Sequence, residues 1–448
     1  MEKRKIVLFN TSSSEAVVTG IGYPGDADEL DAAARKHPEY DITVIAAEYF
    51  FSNRLNGTFE RPKLVTCVKM PYTASLDDYM ATIEAADPDV LISIPTVSRI
   101  VDWNTITEAI ICEKFAKKGV KTFSHSLEAA LACYDKAGTH EALEKAGFHH
   151  ARYLKIDCSM YKTANKSRGI LTVNVYREYI RHRLEKMTYP VILKDNTGSG
   201  SLGLQKVFCA EDVLKVLDSD LFDNDLIAEE YISGDQFTTA IHGCKGHDSV
   251  LPPFSLTMND EGITDSARGI KFGPYYRPSM GIEQLQESLK KFAGQIGLNG
   301  VANIDLAYHD GEWYVIEINP RWSGATVLLA TCEGRGLFDI YLDMLDETQR
   351  DYSDPETLTY GCVFRMSGIG RDQLETLKEI PFVKCFEWGE YAGHVIMAVG
   401  IGGFREKEEL YDAARRLEEM FPGSVAGETM EKIRCVCAKT PTGFTGRG

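Results

Sequence analysis

Two carboxylates and one amide could form a metal-binding site in the stretch around residue 310. Asp305 interrupts one apolar run, and Glu317 and Asn319 lie two residues apart in the next apolar run. Because side chains alternate along a strand, Glu317 and Asn319 share one face if this run is a strand. The Asp310-Gly311 pair between the runs is a strong hairpin signal, and a hairpin brings Asp305 near Glu317. Mg²⁺ takes such hard oxygen ligands, so the stretch predicts a magnesium site.

The alternative interpretation of this stretch is a hairpin whose acids simply face solvent. It accounts poorly for Glu317, whose sequence neighbours are mostly apolar, because an isolated buried carboxylate is costly. Arg321 follows on the same side, and its fixed charge suits a phosphate or a carboxylate. The combination favours phosphate chemistry assisted by a metal ion.

A second phosphate signal is a lysine that ends a strand-like run and precedes a loop of small residues. The run Pro190–Leu193 leads into Lys194, and the sequence continues as DNTGSGSLG. Glycines allow backbone N–H groups to approach an anion closely. The loop lacks the G-K-[ST] of a P-loop, and a flexible turn would look similar, so the adjacent lysine favours the phosphate interpretation. The predicted phosphate-loop residues are Gly198, Ser199, Gly200, Ser201 and Gly203.

The first 124 residues alternate strand-like and helix-like segments, which predicts a parallel α/β unit. Within it, residues 20–25 match G-x-G-x-x-G, the dinucleotide fingerprint. The motif begins eleven residues after the first strand-like run and contains a proline. Both features favour an ordinary loop over a dinucleotide site.

The long Gly-, Pro- and Asp-rich segment 243–281 has no clear periodicity, and it predicts a loop that acts as a lid. An amphipathic helix over 282–295 precedes the hairpin. From about residue 352 the pattern changes to an α+β region, and residues 440–448 predict a disordered tail.

Composition restricts the functional classes. A chain of 448 residues suggests about three domains. Its net charge of −17 argues against binding to nucleic acid or to an anionic membrane surface. The eleven cysteines lack C-x-x-C spacing, so neither a disulfide framework nor a zinc site is expected. The opening MEKRKIVLF has no apolar segment long enough for a signal peptide or a membrane span, and a cytoplasmic protein is expected.

In order, Asp135-Lys136 before a helix, the strand with Lys194 and its loop, Glu229-Glu230-Tyr231-Ile232, and Asp305 with Glu317-x-Asn319-Pro-Arg321 resemble the ATP-grasp superfamily. This family includes D-alanine–D-alanine ligase, carbamoyl phosphate synthetase, biotin carboxylase and bacterial L-amino-acid ligases. The resemblance covers about 125–345. It implies an α/β and α+β protein with three parts: a pre-ATP-grasp α/β domain (1–124), an ATP-grasp domain (125–345, divided after 232) and a C-terminal α+β region (346–448).

The resemblance also implies site residues. Lys136, Lys194 and the loop Gly198–Gly203 would contact the phosphates of ATP. Glu229 would accept from the adenine amino group, and the backbone of Glu230 and Ile232 would pair with the ring. Gln236 stands where the family usually has an acid for the ribose, which weakens that assignment. Lys271 resembles a further triphosphate-contacting lysine of the D-alanine ligase branch. The implied Mg²⁺ or Mn²⁺ ligands are Asp305, Glu317 and Asn319, and the implied catalytic residues are Lys194 and Arg321.

By this resemblance the expected activity is an ATP- and Mg²⁺-dependent carboxylate–amine ligase that proceeds through an acylphosphate and releases ADP and phosphate. Its substrates would be a small-molecule acid and an amine. A homodimer is one possible assembly. The alternatives are a carboxylase, a formate-dependent ligase of purine-type metabolism and an inactive nucleotide-binding protein. A dinucleotide oxidoreductase is the least favoured alternative.

Overall fold

The computed structural model describes residues 3–11, 27–51, 61–96, 103–162, 174–197, 204–219, 224–244, 246–264, 269–346, 352, 358–391 and 394–439. The glycine pattern 20–25, the predicted phosphate loop 198–203 and the tail 440–448 lie outside these residues. In the part of the chain that is described, no helix is both long and apolar enough to cross a membrane.

Strands and helices alternate through most of the described residues. The strands are β1 (Arg4–Phe9), β2 (Tyr40–Ala46), β3 (Thr66–Lys69), β4 (Val90–Ser93), β5 (Lys121–Phe123), β6 (His149–His150), β7 (Tyr153–Ile156), β8 (Val191–Asp195), β9 (Gln205–Val207), β10 (Leu226–Glu230), β11 (Asp235–Cys244), β12 (His247–Val250), β13 (Phe254–Leu256), β14 (Lys271–Gly273), β15 (Gly300–His309), β16 (Glu312–Asn319), β17 (Tyr360–Met366), β18 (Val383–Tyr391) and β19 (His394–Phe404). The α-helices are α1 (Ala27–Lys36), α2 (Glu48–Phe51), α3 (Leu76–Ala86), α4 (Asn104–Lys117), α5 (Leu127–Ala132), α6 (Lys136–Ala146), α7 (Cys158–Lys162), α8 (Val175–Leu184), α9 (Ala210–Leu217), α10 (Ile282–Ile296), α11 (Gly324–Glu333), α12 (Leu337–Asp343), α13 (Leu374–Lys378), α14 (Glu408–Met420) and α15 (Gly427–Lys439).

The N-terminal sheet is parallel, as its alternating pattern predicts. Its strands run in the order β3-β2-β1-β4-β5. Strands β1 and β4 end in buried runs because helices cover both faces of a parallel sheet. The chain reverses its direction of winding between β1 and β4, and the loop after Asn319 lies there: the Trp322 N–H donates to the Pro95 carbonyl, 3.1 Å away.

A four-stranded antiparallel sheet carries the lysine strand. Its order is β7-β10-β8-β9, and α7, α8 and α9 cover one face through a separate apolar core. Strand β8 pairs with β10 so that Lys194 lies beside Ile227 and Ile192 beside Glu229. Ile192 and Lys194 lie two residues apart on one strand and so share a face, and residues paired across strands also share a face, so the pairing brings Lys194 and Glu229 to the same side of the sheet.

The largest sheet holds the hairpin. Its ten strands run in the order β18-β19-β17-β14-β13-β11-β15-β16-β6, with β12 attached to β11. The three strands from the C-terminal region, β17, β18 and β19, are therefore hydrogen-bonded into the same sheet as the hairpin. A second apolar core under α13, α14 and α15 packs on that end of the sheet.

The prediction that 243–281 is one long lid loop is wrong where this segment forms strands. The segment contributes β13 and β14 to the middle of the ten-stranded sheet and β12 beside β11, and Leu251, Phe254 and Phe272 are fully buried. These strands have three or four residues each, too few for a period-two pattern to be visible between the glycines and prolines. The described residues between β13 and β14, up to 264, remain as a surface loop.

Candidate active site

The hairpin forms as predicted, and it places the two carboxylates opposite each other. Strands β15 and β16 pair antiparallel, with Asp305 opposite Glu317 and Asn303 opposite Asn319. The turn residues Asp310 and Gly311 both take positive φ, at 49° and 88°. The register shifts just after Asp305, and such a bulge re-aims neighbouring side chains.

Asn303 fixes the orientation of Asp305. Its side-chain Nδ2 donates to Asp305 Oδ1 at 3.0 Å. Its Oδ1 accepts from Thr238 at 2.9 Å and from Ser323 at 2.8 Å. Burial and then the nearby Glu317 charge raise the pKa of Asp305 above its ordinary value. The hairpin thus holds an acid whose ionised form is disfavoured unless a cation is added.

Arg321 and Lys136 line a small recess beside the hairpin. Arg321 is 7% exposed, and its Nη2 donates to Asn319 Oδ1 at 2.9 Å. Lys136 is similarly buried, and its Nζ lies 3.9 Å from Glu317 Oε1. Thr105 of α4 donates to the Pro320 carbonyl and so ties the recess to the N-terminal sheet. The recess is also lined by Ala130, Cys133, Tyr134, Thr139, Thr197, Glu317 and Asn319.

Lys194 and Glu229 form a buried ion pair on the four-stranded sheet. Lys194 Nζ lies 2.8 Å from Glu229 Oε2, and both side chains are less than 10% exposed. Burial alone would lower the pKa of Lys194, but the Glu229, Glu317 and Asp305 carboxylates raise it. Burial would likewise raise the pKa of Glu229, but Lys194 and His140 lower it to about 2. The second Glu229 oxygen is 2.9 Å from His140 Nε2.

One cleft brings together eight of the eleven predicted site residues that the structure describes, because the four-stranded sheet faces the hairpin across it. Lys136 and Glu317 line both this cleft and the recess, so the two cavities adjoin at these side chains. The predicted residues that line the cleft are Lys136, Lys194, Glu229, Glu230, Ile232, Gln236, Asp305 and Glu317. Asn319 and Arg321 line the recess, and the predicted phosphate loop 198–203 lies outside the described residues.

Three residues predicted to bind the nucleoside already make hydrogen bonds or ion pairs within the protein. The Glu230 side chain turns away to accept from the Thr188 N–H at 2.8 Å, which leaves its predicted role to the backbone. Gln236 Oε1 accepts from Thr264 at the cleft wall. Glu229 already has a partner at each oxygen, so its predicted contact with an adenine amino group would add to these bonds.

Lys271 does not line the cleft, but it pairs with Leu256, which does, and its charge interacts with Asp305. Burial lowers its pKa, the Asp305 charge raises it and the Arg365 charge lowers it further. Lys271 pairs with Val363 on β17, so Arg365, two residues on, projects from the same face of the sheet. Lys271 and Arg365 extend the charged face of the hairpin into the C-terminal strands.

Sequence reasoning missed His140, Asn303 and Arg365. One signal was available for His140, since it follows Lys136 by four residues and therefore shares its helix face. Asn303 precedes Asp305 by two residues in the same strand, so both project from one face. No local pattern marks Arg365, because only strand pairing brings it to the site.

The residues present fit a magnesium nucleotide. Ile192, Leu256 and Ile316 give the cleft apolar walls of the kind that small-molecule sites have, and charged groups stand at one end. Among the described residues, no three His, Cys, Asp or Glu side chains form a metal-binding group. The third oxygen here is the amide of Asn319, and two carboxylates with an amide are a donor set that suits Mg²⁺.

Comparisons with known proteins agree with this geometry. Residues 133–325 match the family model described as an ATP-grasp domain. A stretch of 228 residues, 50% of this chain and 20% of the relative, is 25% identical to the carbamoyl phosphate synthase large chain of Lachnoclostridium phytofermentans. A stretch of 180 residues, 37% of this chain and 56% of the relative, is 26% identical to the D-alanine–D-alanine ligase of Bacillus anthracis. The chain thus spans about a fifth and about half of these relatives.

Solved structures match over nearly the whole chain. The L-amino acid ligase from Bacillus licheniformis superposes with a TM-score of 0.61 at 13% identity, over 94% of this chain and 98% of that one. N5-carboxyaminoimidazole ribonucleotide synthetase from Thermus thermophilus gives 0.62 at 11% identity, over 92% and 98%. Such low identities establish a shared fold. The chain as described therefore has the ATP-grasp fold, and residues 133–325 match the family model of the ATP-grasp domain.

Proposed function

We propose that the protein is an ATP- and Mg²⁺-dependent carboxylate–amine ligase that joins an acid to an amine and releases ADP and phosphate. The observation that carries this proposal is that the cleft and the recess adjoin at Lys136 and Glu317. Lys194 lies in the cleft, Arg321 in the recess, and Glu317 lines both. Such an arrangement suits the transfer of a phosphoryl group from a nucleotide in the cleft to an acid in the recess.

The residues divide into three tasks. Lys136, Lys194 and Lys271 would bind the phosphates, while Glu229, Gln236 and the backbone of Glu230 and Ile232 would hold the nucleoside. Asp305, Glu317 and Asn319 would hold Mg²⁺ or Mn²⁺, which neutralises phosphate charge when bound. Arg321 would steady the phosphate on the acid, and the loop Gly198–Gly203 would cover the triphosphate.

The chemistry explains why phosphate and acid are brought together. A carboxylate is a poor electrophile because attack by an amine would have to expel oxide. Transfer of the γ-phosphoryl group to the acid gives an acylphosphate, and the amine then displaces phosphate. Phosphoryl transfer depends mainly on alignment and charge neutralisation, which buried Lys136 and Arg321 supply in the recess. The buried walls would also exclude water from the acylphosphate.

The test is a coupled ADP-release screen of carboxylates crossed with amines, with product masses recorded. We expect ADP and phosphate to form only when both an acid and an amine are present. A bicarbonate arm tests the carboxylase alternative, since the recess could also hold that small anion. AMP and pyrophosphate would overturn the acylphosphate mechanism, and tight nucleotide binding without turnover on any pair would support an inactive nucleotide-binding protein.

A further inference from the structure

A histidine lies directly behind the buried ion pair of the cleft. His140 is fully buried, and its Nε2 is 2.9 Å from Glu229 Oε1. The opposite oxygen of the same carboxylate is the partner of Lys194 at 2.8 Å. Glu229 therefore bridges a histidine that has no access to solvent and a lysine that lines the cleft.

The scaffold around His140 leaves it little freedom. It lies one turn after Lys136 in α6, and the start of α6 is tied to the lysine strand because Asn196 accepts from the backbone N–H groups of Lys136 and Ala137. Its ring stacks on Tyr153 with centroids 4.5 Å apart and planes 16° from parallel. The His140 ring is thus held by its own helix and by the strand that carries Tyr153.

The hydrogen-bond partners define the direction of the bond. A carboxylate accepts, so His140 Nε2 carries the proton and donates to Glu229. No hydrogen-bond partner for His140 Nδ1 exists among the described residues, so a second proton there would be buried without an acceptor. The bond therefore uses the Nε2–H form of the imidazole.

We infer that His140 is a positioning residue for nucleotide binding: it holds Glu229 in the orientation in which that carboxylate sets the Lys194 ammonium against the cleft. The inference rests on the proposed function, because it takes ATP phosphate as the ligand of Lys194. Without the His140 bond, Glu229 can rotate about its side-chain torsions and Lys194 loses its fixed partner. His140 itself would touch neither nucleotide nor acid.

Three variants separate this role from simple packing. His140→Phe keeps a ring against Tyr153 but removes the donor, and His140→Gln supplies an N–H at a similar reach. His150→Phe is the matched control, because His150 belongs to the same ring cluster, 5.1 Å from His140, and its hydrogen bond goes to the Ala151 carbonyl. Calorimetry with a non-hydrolysable ATP analogue and Mg²⁺ measures affinity, thermal melting confirms folding, and steady-state assays give kcat and KM.

We expect His140→Phe to weaken analogue binding by about tenfold or more, as loss of a hydrogen bond to a charged group does. His140→Gln should recover most of the affinity, and His150→Phe should bind as the wild type does. In turnover, the KM for ATP should rise more than kcat falls. Wild-type affinity in folded His140→Phe, or no recovery in folded His140→Gln, would overturn the inference.

A spectroscopic measurement tests His140 independently of ligase activity. Long-range ¹H–¹⁵N NMR should show the Nε2–H form for His140, with a resonance that moves in Glu229→Gln. An Nδ1–H form would overturn the inference even in a protein that binds ATP. A wild-type protein that binds no nucleotide, but shows the Nε2–H form, would instead overturn the proposed function and with it the purpose assigned to His140.

Discussion

Each side of the cleft holds an acid, buried for Glu229 and half-buried for Asp305, and the surroundings shift the pKa values of the two acids in opposite directions. On the four-stranded sheet, Glu229 lies between Lys194 and His140, and its pKa falls to about 2 despite burial. On the hairpin, Asp305 lies opposite Glu317, and burial with that like charge raises its pKa. Opposite charge favours an ionised carboxylate and like charge disfavours it. The first side therefore pairs its acid closely with an ammonium group of the chain, whereas on the hairpin Asp305 faces a like charge that an added cation would offset.

The largest expected effect comes from breaking the Lys194–Glu229 ion pair on the four-stranded sheet. Lys194→Met should lower the free energy of unfolding by about 3–5 kcal/mol, because it leaves the Glu229 charge buried without its ammonium partner. Lys194→Met combined with Glu229→Gln removes both charges and should recover much of that loss, while analogue binding stays weak in both proteins. Urea unfolding beside calorimetry measures the two quantities. Equal stability of the single and double variants would contradict the pairing.

The next effect concerns the hairpin. Glu317→Gln should leave the fold intact and reduce turnover by about a hundredfold or more, since changing residues that only support metal ligands already costs about 10–100-fold. Glu312→Gln changes an exposed acid of the same strand and serves as the control. The ADP-release assay at saturating Mg²⁺ decides, and near-normal rates for Glu317→Gln would count against its metal role.

Arg321 tests whether the recess and the cleft have separate roles, because its charge lies in the recess. Arg321→Ala should leave ATP-analogue affinity within about twofold but lower turnover by about tenfold or more, as expected for an interaction made after the ground state. Arg321→Gln retains a donor for Asn319 and isolates the loss of charge. If Arg321→Ala loses analogue affinity as badly as Lys194→Met does, the division between cleft and recess is incorrect.

The smallest effect is a gain in stability. Asp305→Asn removes one of two opposed carboxylates and keeps the oxygen that accepts from Asn303, so it should stabilise the metal-free protein by about 1 kcal/mol at pH 7. The raised pKa means that ionisation of Asp305 costs stability as pH rises, so the gain should vanish below the ordinary value of 3.8. Urea unfolding at both pH values tests the sign, and a loss of stability at pH 7 would contradict it.

Local pattern and long-range contact explain what the sequence predicts well and what it does not. The hairpin, with Asp305 opposite Glu317, follows from an Asp-Gly turn and strand alternation along one short stretch of chain. The His140–Glu229 bond joins residues 89 positions apart, so no local pattern predicts it. Arg365 is likewise distant in sequence from the rest of the site and comes near it only because β17 pairs with β14. Short strands such as β13 and β14 take their conformation from neighbouring strands rather than from their own pattern.

The ten-stranded sheet has a mechanical consequence. Hydrogen bonds between β14 and β17 join the hairpin to the C-terminal strands, so we expect these parts to move as one body. In the described residues the four-stranded sheet pairs with none of those strands and connects to them through residues 151–152 and 231–234. Gly234 has a φ of 145° and packs against the Tyr308 carbonyl so closely that a side chain would collide with it. We expect hinge motion, if Lys194 and Glu229 move relative to Asp305 and Glu317, to occur at these two short connections.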